Sequence, residues 1–579
     1  MPEPQFDLVI RGGTLADGSG GPLREADVAI KGGIIAGLGR VPGRGREEID
    51  ARGLLVTPGV VDIHTHYDGQ ATWASALSPS SWHGVTTALM GNCGVGFAPC
   101  RPGDRDRLIR LMEGVEDIPG AVLAEGLPWT WETFADYLAA LETRRFDIDI
   151  AAQLPHGALR VYVMGERGAR REPATADDIA AMRALAAEAM RAGALGFSTS
   201  RTLNHRTSDG DPTPSLTAGE DELTGIAMGL ADAGAGVLQL VSDFADPMQE
   251  LGMLERIVRA SGRPLSFSLL QADRAPDAWQ RLLGWVERCT GEGLPVKAQV
   301  CGRPVGLLLG LSLTLNPFSA HPAYARIAHL PLDARVREMH RPEVKAAILG
   351  EAPASGNPFL AAVLRNFARM FPLGDPPDYE PEESASIGAR AGREGVAPES
   401  LAYDLLLADG GRAMLLFPFL NYSETSLEPA RAMLLHKDAV PGLSDGGAHV
   451  GMICDGSFPT TMLSYWARDR RRGPLLDLPF VVAAQTRRTA EAVGLYDRGL
   501  LAPGMKADLN VIDFSRLALR RPEVVHDLPA GGRRLVQRAE GYVATIVSGQ
   551  VTYRDGNATA ALPGRLVRGA KRRPHGPVA

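Results

Sequence analysis

Short apolar runs alternate with helical patterns between residues 60 and 443, and this alternation constrains the fold more than any other feature of the sequence. The runs fall at Val60–Ile63, Thr86–Met90, Ile148–Gln153, Ala194–Ser198, Gly236–Val241, Leu265–Leu270, Val296–Val300 and Val440–Leu443. Two of the helices between them carry clear start signals. Thr175-Ala-Asp-Asp178 reads as a capping-box-like start, with Ile179, Met182, Ala186 and Met190 on one face and Gly193 past the end. Thr217-Ala-Gly-Glu220 predicts a second start, with Leu223, Ile226 and Leu230 facing inward. A strand–helix repeat of this kind builds a parallel sheet, and eight units close a barrel whose chemistry sits at the C-terminal ends of its strands.

The 579 residues exceed what one core supports. Residues 1–56 and 496–560 read as short strands broken by glycine turns, and they are expected to pair into one small β-sandwich. The expected architecture is α/β: a TIM-like (β/α)8 barrel over residues 57–495, flanked by that domain. A long insertion, about 302–430, separates the last two barrel strands and is suited to a lid, a subdomain or a homo-oligomer contact. Residues 561–579, with Lys571, Arg572 and Arg573, read as a solvated basic tail. A net charge of -7 gives no nucleic-acid footprint. Five cysteines in so long a chain make no disulfide framework. The start MPEPQFDLVI carries no secretory signal, and no apolar run is long enough for a membrane span. These features predict a cytoplasmic enzyme with a small-molecule substrate, and neither nucleic acid nor membrane as partner.

The chemistry concentrates in Val60-Val61-Asp62-Ile63-His64-Thr65-His66. Residues two apart on a strand point the same way, so His64 and His66 present two imidazoles to one point at the barrel mouth. Such a pair suits a divalent metal ion. Tyr67 follows as a candidate substrate contact. The surrounding LLVTPGVVDIHTHYDGQ resembles the first-strand signature of the amidohydrolase superfamily, and DLVIRGGTLADGSG and LLAPGMKADLNVID resemble its flanking β-domain. GVTTALMGNCGVGFAP, MEGVEDIPG, HGALRVYVMG, GALGFSTS and the late SDG are similar to the branch of D-aminoacylases and N-acyl-D-amino-acid deacylases.

The resemblance implies that Cys93, between Asn92 and Gly94, ligates or bridges metal at the end of strand two. It also implies that Asp445, after strand eight, touches the metal and moves protons. A carboxylate beside an attacking water can take its proton and return it to the leaving nitrogen. His449 is a candidate substrate contact. The branch usually carries histidines at the ends of strands five and six, whereas this chain has none between His205 and His321. Its strand five ends in Asp243 and its strand six in Gln271, both retained as candidate substrate contacts. One or two Zn2+ ions are therefore expected, with the second site weakened or remodelled. Arg201 and Arg206, in the loop that also holds His205, are candidate clamps for a substrate carboxylate. His156, in the HGALR stretch, is a candidate pocket residue.

The implied reaction is hydrolysis of the amide bond of an N-acyl D-amino acid by a metal-activated water. Hydrolysis of a cyclic amide, a carbamate or another C–N bond is the first alternative. A barrel that binds a ligand without catalysis is the second. The joint presence of His64, His66, Cys93 and Asp445 argues against the second, because a binding scaffold needs no such set.

Overall fold

The computed structural model describes residues 3–354 and 358–574. Its centre is one parallel sheet of eight strands paired in chain order: β1 (Val60–Asp62), β2 (Val85–Met90), β3 (Asp149–Pro155), β4 (Gly196–Arg201), β5 (Val237–Ser242), β6 (Leu265–Leu269), β7 (Val296–Val300) and β8 (Ala439–Pro441). The two ends of the sheet meet. Asp445 N donates to His64 O (3.1 Å), His66 N donates to Gly446 O (2.8 Å), and Thr65 bridges Gly446 in the parallel sense. The sheet therefore closes as a TIM-like barrel, and each predicted run supplies one of its strands.

The strands alternate as a closed sheet requires. Leu240, Phe267 and Val300 are buried in the main apolar core. Asp62, Gln153, Gln239, Ser266 and Gln299, on the opposite face of their strands, are buried polar residues. At the base, Asp149 of β3 and its register partner Thr87 of β2 meet Arg498. The Arg498 Nη1 donates to Asp149 (2.8 Å) and to Thr87 (2.8 Å), and Lys506 reaches Asp149 at 3.0 Å and Asp508 at 2.7 Å. Burial alone would push the Asp149 carboxyl up, but the charges of Lys506 and Arg498 outweigh it and hold the carboxyl below its usual range. Its stabilisation is thus complete above the unfolded carboxyl's ordinary value and is lost as pH falls through the lower, folded one. Replacing Asp149 by Asn removes the carboxylate that buried Arg498 and Lys506 share and leaves them only Asp497 and Asp508, so Asp149→Asn is expected to cost about 1–3 kcal/mol. A lowered urea midpoint at pH 7, with the difference shrinking at low pH, checks this.

The flanking domain draws on both ends of the chain. Leu55–Pro58 pairs antiparallel with Leu509–Ile512, from Leu509 opposite Pro58 to Ile512 opposite Leu55. This joins the N-terminal strands to Tyr542–Val547 and Gln550–Arg554 in one nine-stranded sheet. Ile10, Val28, Ile30, Val56, Val511 and Ile546 form its own apolar core.

The capping box at Thr175 starts the helix Ala176–Ala192, and Gly193 ends it at φ 112°. The next helix begins later than its sequence suggests, at Glu220 with Gly219 as cap. Thr217 instead donates its hydroxyl to Arg171 O. The long segment after β7 forms a small antiparallel sheet, Val305–Gly310 against Met414–Leu420, with helices between. It leans on the loop after β8 through Leu308 N to Met452 O (2.7 Å) and Thr314 N to Gly451 O (3.0 Å). The basic tail differs from expectation. Gly564–Val567 runs along the barrel, with Ile150 N bonded to Arg565 O and Val567 N to Ile150 O, and Val567 is buried. Its apolar residues, Leu566 and Val567, outweigh the charges that suggested a frayed end. Residues 575–579 lie outside the described part. Among the described residues no helix is long and apolar enough to cross a membrane.

Candidate metal centre

His64 and His66 extend the inward face of β1, and Cys93 and Asp445 come to them from the ends of β2 and β8. The His64 Nε2 lies 3.3 Å from Cys93 Sγ and 3.5 Å from Asp445 Oδ1, and His66 Nε2 lies 3.5 Å from the same oxygen. The donor atoms of His64, His66 and Cys93 all lie within 4.8 Å of one another. A tetrahedral ion held at about 2.0–2.3 Å spaces its ligand atoms about 3.3–3.8 Å apart. The spacings of His64 to Cys93 and of both imidazoles to Asp445 fall in that range.

The backbone is bent to achieve this. Cys93, Leu443, Asp445 and His449 all have positive φ, 55°, 62°, 47° and 51°. Such conformations are costly for residues with a side chain and concentrate at functional sites. Behind Asp445 the chain can pass only as Gly446-Gly447. A Cβ on Gly446 would lie 2.3 Å from Ser80 Oγ, and one on Gly447 would lie 2.8 Å from Tyr67 Cδ1.

The donors are prepared for a cation. Gln299 Nε2 donates to Ser266 (3.0 Å), which turns its Oε1 toward His64 Nδ1 at 2.8 Å. His64 then carries its proton on Nδ1 and leaves the Nε2 lone pair free. Burial pushes His64 down to about 4, so the imidazole is neutral. Burial also pushes the Cys93 thiol up to about 12, and its proton must leave when an ion binds. At Asp445 burial opposes ionisation, but the imidazoles of His66 and His64, each 3.5 Å from its Oδ1, outweigh it and hold the carboxyl well below its usual range. The buried His66 Nδ1, Asp445 Oδ1 and both oxygens of Glu116 have no hydrogen-bond partner. Groups of this kind are rarely left unpaired. Two imidazoles, a thiolate and a carboxylate at these spacings fit zinc or a similar divalent ion.

Sequence reasoning missed Glu116 and the two glutamines. Glu116 ends the helix Arg105–Glu116 with its side chain 1% exposed, 3.3 Å from His66 Nδ1. Gln239 accepts the Cys93 backbone N–H (3.2 Å). Gln239 and Ser268 occupy inward positions on β5 and β6, the strands whose histidines the resemblance led one to expect.

His449 and His205 join the cluster. The His449 Nε2 lies 4.0 Å from Asp445 Oδ2. His205 bonds Ser200 Oγ (2.9 Å), and burial, then the nearby charges of His449 and His66, pushes it down to about 3. The remaining expected contacts are occupied elsewhere. Ser198 and Ser200 point into the barrel, so Thr199 and Arg201 point out of it. Arg201 accordingly bonds Glu250 (2.8 Å) and Ala218 O (2.7 Å). Arg206 is exposed and bonds the carbonyls of Leu203 and Gly210. His156 sits behind β4, between Thr199 (2.8 Å) and Glu222 (2.9 Å). Asp243 accepts from Thr202 Oγ1 and Leu203 N and braces that loop. Gln271 spends its amide on Ser423 N and Pro276 O. Tyr67 is fully buried against Ser80 and supports the Asp445 turn.

A cavity opens beside Asp445, walled by Trp73, Ile118, Val450, Ile453, Leu528 and Leu535. Arg534 also reaches it, but its donors are spent on Asp527, Ser78 and Gln70.

The pattern that defines the amidohydrolase family matches residues 47–553. The chain belongs to the amidohydrolase family. This amidohydrolase is 39% identical over 195 residues to a D-aminoacylase of Alcaligenes xylosoxydans xylosoxydans, covering 34% of this chain and 37% of that protein. It is 40% identical over 198 residues to an N-acyl-D-aspartate deacylase of the same organism, covering 34% and 36%. These alignments thus span little more than a third of either relative. The crystal structure of a D-aminoacylase superposes with a TM-score of 0.63 at 25% identity, over 97% of this chain and 100% of that one.

Proposed function

We propose that this amidohydrolase cleaves the amide bond of N-acyl amino acids of D configuration, using a zinc ion or similar cation held by His64, His66, Cys93 and Asp445. The observation that carries the reading is the convergence of the His64, His66 and Cys93 donor atoms within 4.8 Å, with Asp445 Oδ1 3.5 Å from both imidazoles. An ion bound there supplies Lewis acidity toward a carbonyl oxygen and raises the nucleophilicity of water near neutral pH. Asp445 is ionised and takes the proton of the attacking water. Oxygen is added to the acyl carbon as the C–N bond breaks, and Asp445 delivers the proton to the leaving nitrogen. Gln299 fixes the His64 ring, and Glu116 faces the far nitrogen of His66 and fixes that ring.

A second reading is supported by the arginines. Arg534 spends its donors on Asp527, Ser78 and Gln70, and Arg201 and Arg206 bond Glu250 and loop carbonyls. This favours a substrate without a carboxylate, such as a cyclic amide or a carbamate. A panel on zinc-loaded protein separates the two: N-acyl derivatives of D- and L-amino acids, a hydantoin and a carbamate, read as released amine or opened ring. Cleavage of the N-acyl D-amino acids is expected. Cleavage of the ring or carbamate alone would replace the first reading by the second, and no cleavage at all would end both.

A further inference from the structure

We infer that Asp117 is a positioning residue. Through Gly451 it holds the turn that presents Asp445, and it ties that turn to the helix end carrying Glu116 and to the long segment after β7. This role depends on the proposed reading of Asp445 as metal donor and proton carrier.

The turn does not hold its shape alone. Leu443, Asp445 and His449 each have positive φ, and residues with a side chain keep such conformations only where their surroundings impose them. Within the turn, Ala448 N donates to Asp445 O (3.0 Å) and Met452 N to His449 O (3.0 Å). The rest of the hold comes from distant segments. His449 N donates to Glu116 O, Thr314 N to Gly451 O (3.0 Å), Leu308 N to Met452 O (2.7 Å) and Leu535 N to Val450 O (2.6 Å). Those are backbone bonds. Asp117 adds a side chain to them: its Oδ2 accepts from Gly451 N (2.9 Å) and from Thr314 Oγ1 (3.3 Å).

Three segments thus meet on one carboxylate oxygen, and they meet without spare room. A Cβ on Gly451 would lie 2.1 Å from Thr314 Oγ1 and 3.1 Å from Asp117 Oδ2. Glycine is required here by the close approach of the long segment. Asp117 itself ends the helix Arg105–Glu116 at φ 53°. Its neighbour Glu116 lies 3.3 Å from His66 Nδ1, so two consecutive acids serve the two sides of the barrel seam. Glu116 faces the imidazole that follows β1, and Asp117 fixes the turn that follows β8. Asp445 needs that precision, because its Oδ1 stands 3.5 Å from both imidazoles and a shift of about 1 Å in a reacting group can cost about 10²-fold in rate.

The test compares Asp117→Ala and Asp117→Asn with the wild type, all full-length and loaded with Co2+. Alanine removes the acceptor of Gly451 N, whereas asparagine keeps a carbonyl oxygen in its place. Hydrogen exchange is followed in peptides spanning 445–453, cobalt absorbance reports the donors, and kcat and KM are measured on the substrate that the panel identifies. Asp117→Ala is expected to speed exchange in that stretch about tenfold or more, to shift the cobalt spectrum and to lower kcat about 10–100-fold while KM moves little. Asp117→Asn is expected to restore all three. Asp149→Asn, at the base of the barrel, is the control: it lowers stability without changing exchange at 445–453 or the cobalt spectrum. If Asp117→Ala fails to fold, Gly451→Ala replaces it by wedging the same contact apart, and adding Thr314→Ala, which removes the nearest atom, is expected to relieve the defect. An alanine variant that loads, exchanges and turns over like the wild type would overturn the role of Asp117 alone. An asparagine variant as impaired as the alanine one would overturn it too, since the acceptor would not be what matters. A wild type that takes up no Co2+ would remove the reading of the centre and, with it, this role.

Discussion

Replacing His64 and His66 together by alanine is expected to empty the metal centre and abolish turnover. The two imidazoles lie on one face of β1 and account for two of the four donors around the proposed ion. Cys93 and Asp445 alone leave half of a tetrahedral shell, which structural and catalytic zinc do not accept. The ion's Lewis acidity is worth several kcal/mol, so kcat/KM should fall by about 10³-fold or more. Elemental analysis of the purified double variant checks the first half of the expectation, and the substrate panel checks the second. Stoichiometric metal in the double variant would show that the ion is held elsewhere.

Asp445→Asn is expected to lower kcat by about 10²–10⁴-fold while KM changes little. The amide keeps the shape of the side chain and its place at the mouth but cannot take the proton of the attacking water. Asp445 also stands among the donors, so metal content must be measured on the same sample. A variant with full metal and near-normal kcat would move the proton to another group, and His449 and His205 are the ones the fold brings close. Asp243 is not among them, because Thr202 and Leu203 hold both of its oxygens.

Most of the barrel was legible because each strand is buried on both faces and reads as a short apolar run between helical stretches. The four candidate metal donors were legible for a related reason. Strand ends at the barrel mouth have few roles open to a histidine, a cysteine or an aspartate. The direction of Arg201, toward Glu250, was available in the sequence. It lies an odd number of positions from Ser198 and Ser200, and period two sends it outward. Glu116 carried a fainter signal. It follows Leu108 and Met112 at helical spacing, so an acid stands on the apolar face of its helix, where a charge needs a partner. Gln239 and Gln299 gave no local signal at all. Their importance comes from what lies opposite them across the barrel, far away in the chain. The cavity wall could not be read either, because Leu528 and Leu535 reach Asp445 from a hairpin long after the last barrel strand.

The pairing of Leu55–Pro58 with Leu509–Ile512 has a cost during synthesis. The earlier strand leaves the ribosome roughly 450 residues before its partner, which at about 5–20 residues per second is a wait of about 20–90 s. For that time Leu55 and Val56 have an open hydrogen-bonding edge and no cover for their apolar side chains. The same holds for β1, which cannot find β8 until residue 441 has emerged. Contacts so distant in sequence form slowly. The nascent chain therefore carries two unpaired strand edges through most of its translation, and its yield in a cell should depend on holdase chaperones and on growth temperature more than the stability of the finished fold would suggest.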